Sequence, residues 1–335
     1  MHFKRPILFA ACLLAAAWSL PAHAQAMLLP KSIVYEGVTR TWFEYVPKKY
    51  SGKRAVPLVI ALHGYSDTGD KFAKVSEWMT VADQEGFIAV FPNGGLIVGQ
   101  DFGWNVFHYA GEAPDDVGFL QAMITQLESD YKINAERIYM AGFSNGAAMV
   151  GTFAAVHTSV LAAIAPVSSG WLTSFGIPET IMHPDAPIPA WVWRGTAETF
   201  MNGSLTNVVQ DEQQVEFWRT LDGDSPTPQV ITQGLFTTSI YRGGKAEVRF
   251  TSIAGASHAY QPGTSAKLWD GFFSIFRRKG NAIVYTASAA AKPVISVTAN
   301  NPTAAAPGRF LLTRDGNSDA EVQVQYELGG NAVNG

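Results

Sequence analysis

Cysteine is nearly missing from these 335 residues: Cys12 stands alone. One thiol excludes an internal disulfide, so the fold must rely on the size of its core. Charge is also sparse, at 16% of residues, with a net charge of -4 and no basic run or stripe. Nothing in that pattern points to nucleic acid. Long apolar runs are lacking too. The longest, Ile7 to Leu20, falls short of the ~20 residues that a membrane span needs. What the chain does have is 47% hydrophobic content, with nine Trp and eleven Tyr. That is a globular composition with apolar content for a large core.

The N-terminus reads as a secretory leader. Lys4 and Arg5 precede the Ile7–Leu20 run, and Ala22-His23-Ala24 offers an A-x-A cleavage site. Residues 1–24 are thus expected to be a signal peptide, and the protein to be secreted, extracellular or periplasmic. Cys12 lies inside the leader, so the mature chain from Gln25 would hold no cysteine.

Six short apolar runs mark strands: Pro57–His63, Gly86–Phe91, Arg137–Phe143, Leu161–Val167, Ala190–Trp193 and Val248–Ile253. Helix-like segments lie among them at Phe72–Gln84, Asp115–Tyr131, Gly146–His157, Glu212–Leu221 and Ser265–Arg278. Continuous apolar strands alternating with helices predict an α/β fold, a mostly parallel central sheet with helices on both faces. Thr41–Val46 alternates in polarity and suits an antiparallel strand at the sheet edge. The catalytic region is expected over 25–285, followed by a small-residue linker at 286–293. Three alternating β segments then appear: Val294–Thr298, Arg309–Thr313 and Val322–Leu328. Residues 294–335 read as an incomplete all-β segment, since a sandwich needs about seven strands. The chain is therefore expected to be a fragment of a longer protein.

Gly142-Phe143-Ser144-Asn145-Gly146 fits G-x-S-x-G between a predicted strand and a predicted helix. The motif needs small residues two before and two after a serine held on a strained turn. A serine hydroxyl also needs a base, and the order Ser, acid, His places that base late. His183 and His258 both follow the helix after Ser144; His258, directly after the strand ending at Ile253, is the better placed. The acid should follow "AWVW", where Glu198 is the carboxylate at the strand end, with Asp211, Glu212 and Asp222 further on. The candidate triad is Ser144, Glu198 and His258. The oxyanion donors are expected to be the main-chain N–H groups of Asn145 and Tyr65, with His63 as scaffold. Trp104, Phe107, Trp171 and Phe200 are candidate substrate-binding residues by position.

"LHGYSDTG", "GWN", "DDVGFL", "GFSNGAAM", "RGTAET" and "SHAYQPG" together resemble the secreted polyhydroxybutyrate depolymerase and feruloyl esterase family, over about Tyr35 to Lys279. The resemblance implies an α/β-hydrolase fold, with Ser144 as nucleophile, His258 as base and Glu198 as acid. The family usually has Asp where Glu198 stands, and many members carry cysteines near "GWN" and "DDVGF" that this chain lacks. Asp115 and Asp116 match its paired aspartates, read here as structural residues at a helix N-terminus. The tail resembles the start of a Calx-beta type β-sandwich.

The function this implies is serine esterase action through an acyl-enzyme, without cofactor or metal. The first substrate class is a polyhydroxybutyrate-type polyester, expected as an insoluble polymer; the alternative is a feruloyl or acetylxylan ester of plant cell-wall polysaccharide. A serine peptidase, or a non-catalytic binding protein on a hydrolase scaffold, remains a further reading.

Overall fold

The computed structural model describes residues 27–98, 101–106, 114–168, 184–199, 208–286, 294–299 and 310–315. Residues 1–24, expected as a signal peptide, Phe107, Trp171, His183, Phe200, nearly all of the expected linker and the Val322–Leu328 segment lie outside them.

The chain opens with an antiparallel hairpin, β1 (Leu28–Tyr35) and β2 (Val38–Tyr45). Next come β3 (Val56–Leu62), α1 (Gly69–Val75), α2 (Trp78–Glu85) and β4 (Ile88–Pro92). A small separate hairpin pairs β5 (Leu96–Val98) with β6 (Asp101–Gly103). Then follow α3 (Asp116–Asp130), β7 (Ile133–Phe143), α4 (Asn145–Val156), β8 (Ala163–Val167), β9 (Ala190–Gly195) and α5 (Val208–Asp222). The region before residue 286 closes with β10 (Gln229–Gln233), β11 (Phe236–Tyr241), β12 (Val248–Ile253), α6 (Thr264–Gly271), β13 (Phe276–Lys279) and β14 (Ala282–Tyr285). Beyond it, β15 (Val294–Ala299) pairs antiparallel with β16 (Phe310–Asp315).

Ten strands make one sheet, in the order β1-β2-β4-β3-β7-β8-β9-β12-β11-β10. The six from β4 to β12 run parallel, and each end carries two antiparallel strands. Alternation along β3 explains how both faces are filled. Leu58, Ile60 and Leu62 enter one core with α3 and α4, whereas Val59 and Ala61 enter the other with α1, α2 and α6. β4, β8 and β9 are buried along their whole length, which is why they read as unbroken apolar runs.

Three expectations change. Thr41–Val46 is not the edge: β2 lies between β1 and β4. The Phe72–Gln84 helix is two helices, broken where Glu77 takes a left-handed φ of 62°. The Ser265–Arg278 helix stops at Gly271, because Phe272 packs against Trp191 and Phe276, and Phe273 against Trp78 and Tyr139, turning the chain into β13. The β10–β11 hairpin was not expected.

Candidate active site

Ser144 joins β7 to α4 with φ 54° and ψ -121°, a region that ordinary residues avoid. The flanking glycines make that turn possible. A Cβ on Gly146 would lie 2.3 Å from the His63 carbonyl oxygen and 2.5 Å from that of Leu62. A Cβ on Gly142 would lie 2.5 Å from the Gly146 carbonyl oxygen. The helix start, the end of β7 and the end of β3 therefore meet at van der Waals contact around Ser144. Its own N–H donates to the Val167 carbonyl at 2.9 Å, tying the turn to β8.

His258 follows β12 and Glu198 follows β9, neighbouring parallel strands. The two loops are bound to each other. Ala197 N–H donates to the Ala256 carbonyl at 3.0 Å, and Gly255 N–H to Thr196 Oγ1 at 2.9 Å. Gly195 permits this closeness, since a Cβ there would sit 2.2 Å from the Ala256 carbonyl oxygen. The result is a continuous chain of hydrogen bonds. His258 Nε2 lies 2.8 Å from Ser144 Oγ, and its Nδ1 lies 2.9 Å from Glu198 Oε2. The imidazole rests on the Phe143 ring, centroids 4.9 Å apart. Glu198 is 4% exposed, and its other oxygen, Oε1, accepts from Ser168 Oγ and Gly195 N–H, both at 2.6 Å. Such a carboxylate is compensated for burial and held to one geometry. With Nδ1–H directed at Glu198, Nε2 can accept the serine proton.

The other side of Ser144 is built from three loops. Asn145 is the first residue of α4, so its main-chain N–H has no acceptor within the helix. Its carboxamide clasps the main chain of Trp104: Trp104 N–H donates to Oδ1 at 2.6 Å, and Nδ2 donates to the Trp104 carbonyl at 3.3 Å. The Tyr65 loop is anchored to the same segment through Ser66 N–H to the Phe102 carbonyl at 2.8 Å. His63 is fully buried beneath it. Nε2 accepts from Gly94 N–H at 3.0 Å, which leaves Nδ1–H to donate to the Gly64 carbonyl at 2.7 Å. Burial pushes its pKa below the usual imidazole range, consistent with a neutral scaffold ring.

Asp115 caps α3, accepting from Gly118 N–H at 2.9 Å. Asp116, fully buried, is paired with Arg40 and also accepts from Gly95 N–H at 2.9 Å and Asn105 N–H at 2.7 Å. Desolvation raises its pKa, opposed by Arg40. These bonds hold the loops that follow β4 and β6.

Trp104 departs from expectation. It has no exposed surface, and its indole donates to the His63 carbonyl at 2.9 Å, so it supports the loop from below and lines no open wall. Trp171 and Phe200 lie outside the described residues; of the alternatives, Asp211 and Glu212 stand near the start of α5, with Glu212 exposed. Asp222 sits at the far end of α5, where it accepts from Ile188 N–H. Two groups escaped the sequence reading: Ser168, which holds the Glu198 carboxylate, and the Asn145 carboxamide. Among the described residues, no three of His, Cys, Asp or Glu are grouped to hold a metal ion, and no helix is long and apolar enough to cross a membrane.

Comparison with known proteins agrees with this architecture. Residues 41–180 match the family model described as Esterase PHB depolymerase. Feruloyl esterase B of Piromyces equi is 28% identical over 67% of this chain and 43% of its own length. Poly(3-hydroxyalkanoate) depolymerase C of Paucimonas lemoignei is 27% identical over 67% of this chain and 60% of its own. The chain thus spans less than two thirds of either relative. An acetyl xylan esterase structure from Aspergillus awamori superposes with a TM-score of 0.60 at 18% identity, covering 73% of this chain and 99% of that one. That likeness establishes the α/β-hydrolase fold.

Proposed function

We propose that this chain, which carries an Esterase PHB depolymerase domain, hydrolyses carboxylic esters through an acyl-serine intermediate. The observation that carries this reading is the pair of hydrogen bonds from Ser144 Oγ through His258 to Glu198. In it, Ser144 Oγ attacks the ester carbonyl as His258 Nε2 takes its proton. Glu198 offsets the imidazolium charge through Nδ1–H. The oxyanion is received by the N–H groups of Asn145 and Tyr65, the first of them at the positive end of α4. His258 then protonates the leaving alkoxide and activates the water that releases the acid.

The first substrate class is a polyhydroxybutyrate-type polyester. Its support is the depolymerase relative and the Tyr65 side chain, 45% exposed on the loop proposed to supply an oxyanion donor. Feruloyl or acetylxylan esters are the second reading, favoured by the feruloyl esterase relative. In this reading residues 1–24 direct secretion, 25–285 form the enzyme, 286–293 link it onward and 294–335 begin a β-sandwich. A hydrolysis panel tests the substrate: polyhydroxybutyrate film, methyl ferulate, acetylated xylan and p-nitrophenyl butyrate. The reading expects soluble hydroxybutyrate from the film; release of ferulate or acetate alone would favour the second reading, and no hydrolysis of any ester would defeat both.

A further inference from the structure

The two edges of the ten-stranded sheet are built differently. β1 carries Pro30 and Lys31 near its middle, residues that blunt an edge against pairing. β10 reads Gln229-Val230-Ile231-Thr232-Gln233, with no proline and no charge, and all five residues are exposed. Val230 and Ile231 are 58% and 37% exposed. Among the described residues, β10 has a strand neighbour on one side only.

Which main-chain groups face outward follows from the turn. Gly234-Leu235 is a two-residue loop with Gly234 at φ 58°, closing on the Gln233–Phe236 pair. The closing pair of such a hairpin exchanges both its hydrogen bonds, and the pattern then alternates. Gln229, Ile231 and Gln233 therefore direct their N–H and C=O groups at β11. Those of Val230 and Thr232 point away from the sheet.

The strand is also symmetric in chemistry: amide, β-branched, Ile231, β-branched, amide. We propose that β10 pairs antiparallel with β10 of a second copy about a twofold axis at Ile231, joining two sheets into one. In that register Val230 meets the partner's Thr232, and the outward N–H and C=O groups of both are satisfied. Gln229 meets the partner's Gln233, amide to amide. Ile231 meets itself in a non-hydrogen-bonded pair, and no two charges on the strands face each other. The axis stands perpendicular to the sheet, so the two Ser144 sites open toward opposite edges of the joined sheet and neither covers the other. The seam also extends an existing cleft of about 490 Å³ between this hairpin and α6, whose outer wall is Ile231 and Gln233. A five-residue seam is shorter than that of a stable interface burying ~800 Å² per partner, so the association is reversible and depends on concentration.

Disulfide trapping at the twofold reads this register directly. Opposed residues in a non-hydrogen-bonded pair have Cα atoms about 4.5 Å apart, within the range a disulfide spans. In a Cys12→Ser background the full chain carries no other thiol. Ile231→Cys is expected to give a disulfide-linked dimer under mild oxidation, at least about tenfold faster than Val230→Cys, which is offset from its own copy, or Leu29→Cys on the opposite edge. Sedimentation of the wild type is expected to show a dimer growing with concentration, lost in Ile231→Pro. Equal linking at all three positions, or a wild type that stays monomeric to about 100 μM, overturns the proposal.

Discussion

Glu198 occupies a position where the resemblance suggests an aspartate, and its surroundings are fitted to the longer side chain. One carboxylate oxygen is held by Ser168 and Gly195 while the other reaches His258 at 2.9 Å. Glu198→Gln keeps the shape but loses the charge that stabilises the imidazolium. It should lower kcat on p-nitrophenyl butyrate by about 10²–10⁴-fold with little change in KM. If Asp222→Asn has that effect and Glu198→Gln does not, the acid is misassigned. Asn145 offers a separate test at the same scale. Its carboxamide spaces the α4 start from the Trp104 segment, and through that segment from the Tyr65 loop. Asn145→Ala keeps the main-chain donor but frees the loop. A loss of about 10–10²-fold in kcat is expected, with weaker binding of a trifluoromethyl ketone that forms an oxyanion on Ser144. Unchanged kinetics would make the clasp irrelevant to the reaction.

At the scale of elements, the turn at Ser144 depends on three segments meeting where two glycines stand. Gly146→Ala would drive a Cβ into the carbonyls that end β3. A loss of about 2–4 kcal/mol of stability is expected, read as a lower urea midpoint, together with loss of activity. An active enzyme of wild-type stability would contradict the packing described. The same scale shows what was legible beforehand. β4, β8 and β9 were readable because burial on both faces leaves no polar interruption. The meeting of Ser144, His258 and Glu198 was readable because each ends or follows a parallel strand in a known order. Ser168 was not, because its role depends on β8 lying beside β9, a pairing that no local pattern reveals. β10 and β11 escaped because β10 is exposed throughout and β11 mostly half-buried, which leaves no buried apolar run to mark them. The helix over-extended past Gly271 because Trp269, Phe272, Phe273 and Phe276 fit helical spacing, and the aromatic core they enter was invisible in the sequence. Trp104 was misplaced for a similar reason: an aromatic beside a loop reads as a lining residue until its indole is seen bonded inward.

For the whole molecule, a second set of buried charges lies away from Ser144. Asp222 is 1% exposed, and desolvation pushes its pKa up to about 8. The nearby Asp224 is raised too, and burial lowers the pKa of Arg278 to about 10. The folded protein therefore keeps a proton on Asp222 that the unfolded chain releases near pH 4. Stability should fall as pH rises from about 4 to 8, by at most about 1.4 kcal/mol per pH unit. Asp222→Asn should flatten that slope and raise the urea midpoint at pH 8. An unaltered slope would mean that Asp222 is ionised in the fold.

The central claim is that Ser144 is the nucleophile of an esterase. Its most direct measurement is labelling of the full chain with a fluorophosphonate, followed by peptide mass mapping. The account predicts one equivalent of label on the peptide containing Ser144, with p-nitrophenyl butyrate hydrolysis lost in step. It also predicts that Ser144→Ala takes no label and loses at least about 10⁴-fold in kcat. Label on another residue, equal labelling of Ser144→Ala, or full activity after labelling would contradict it.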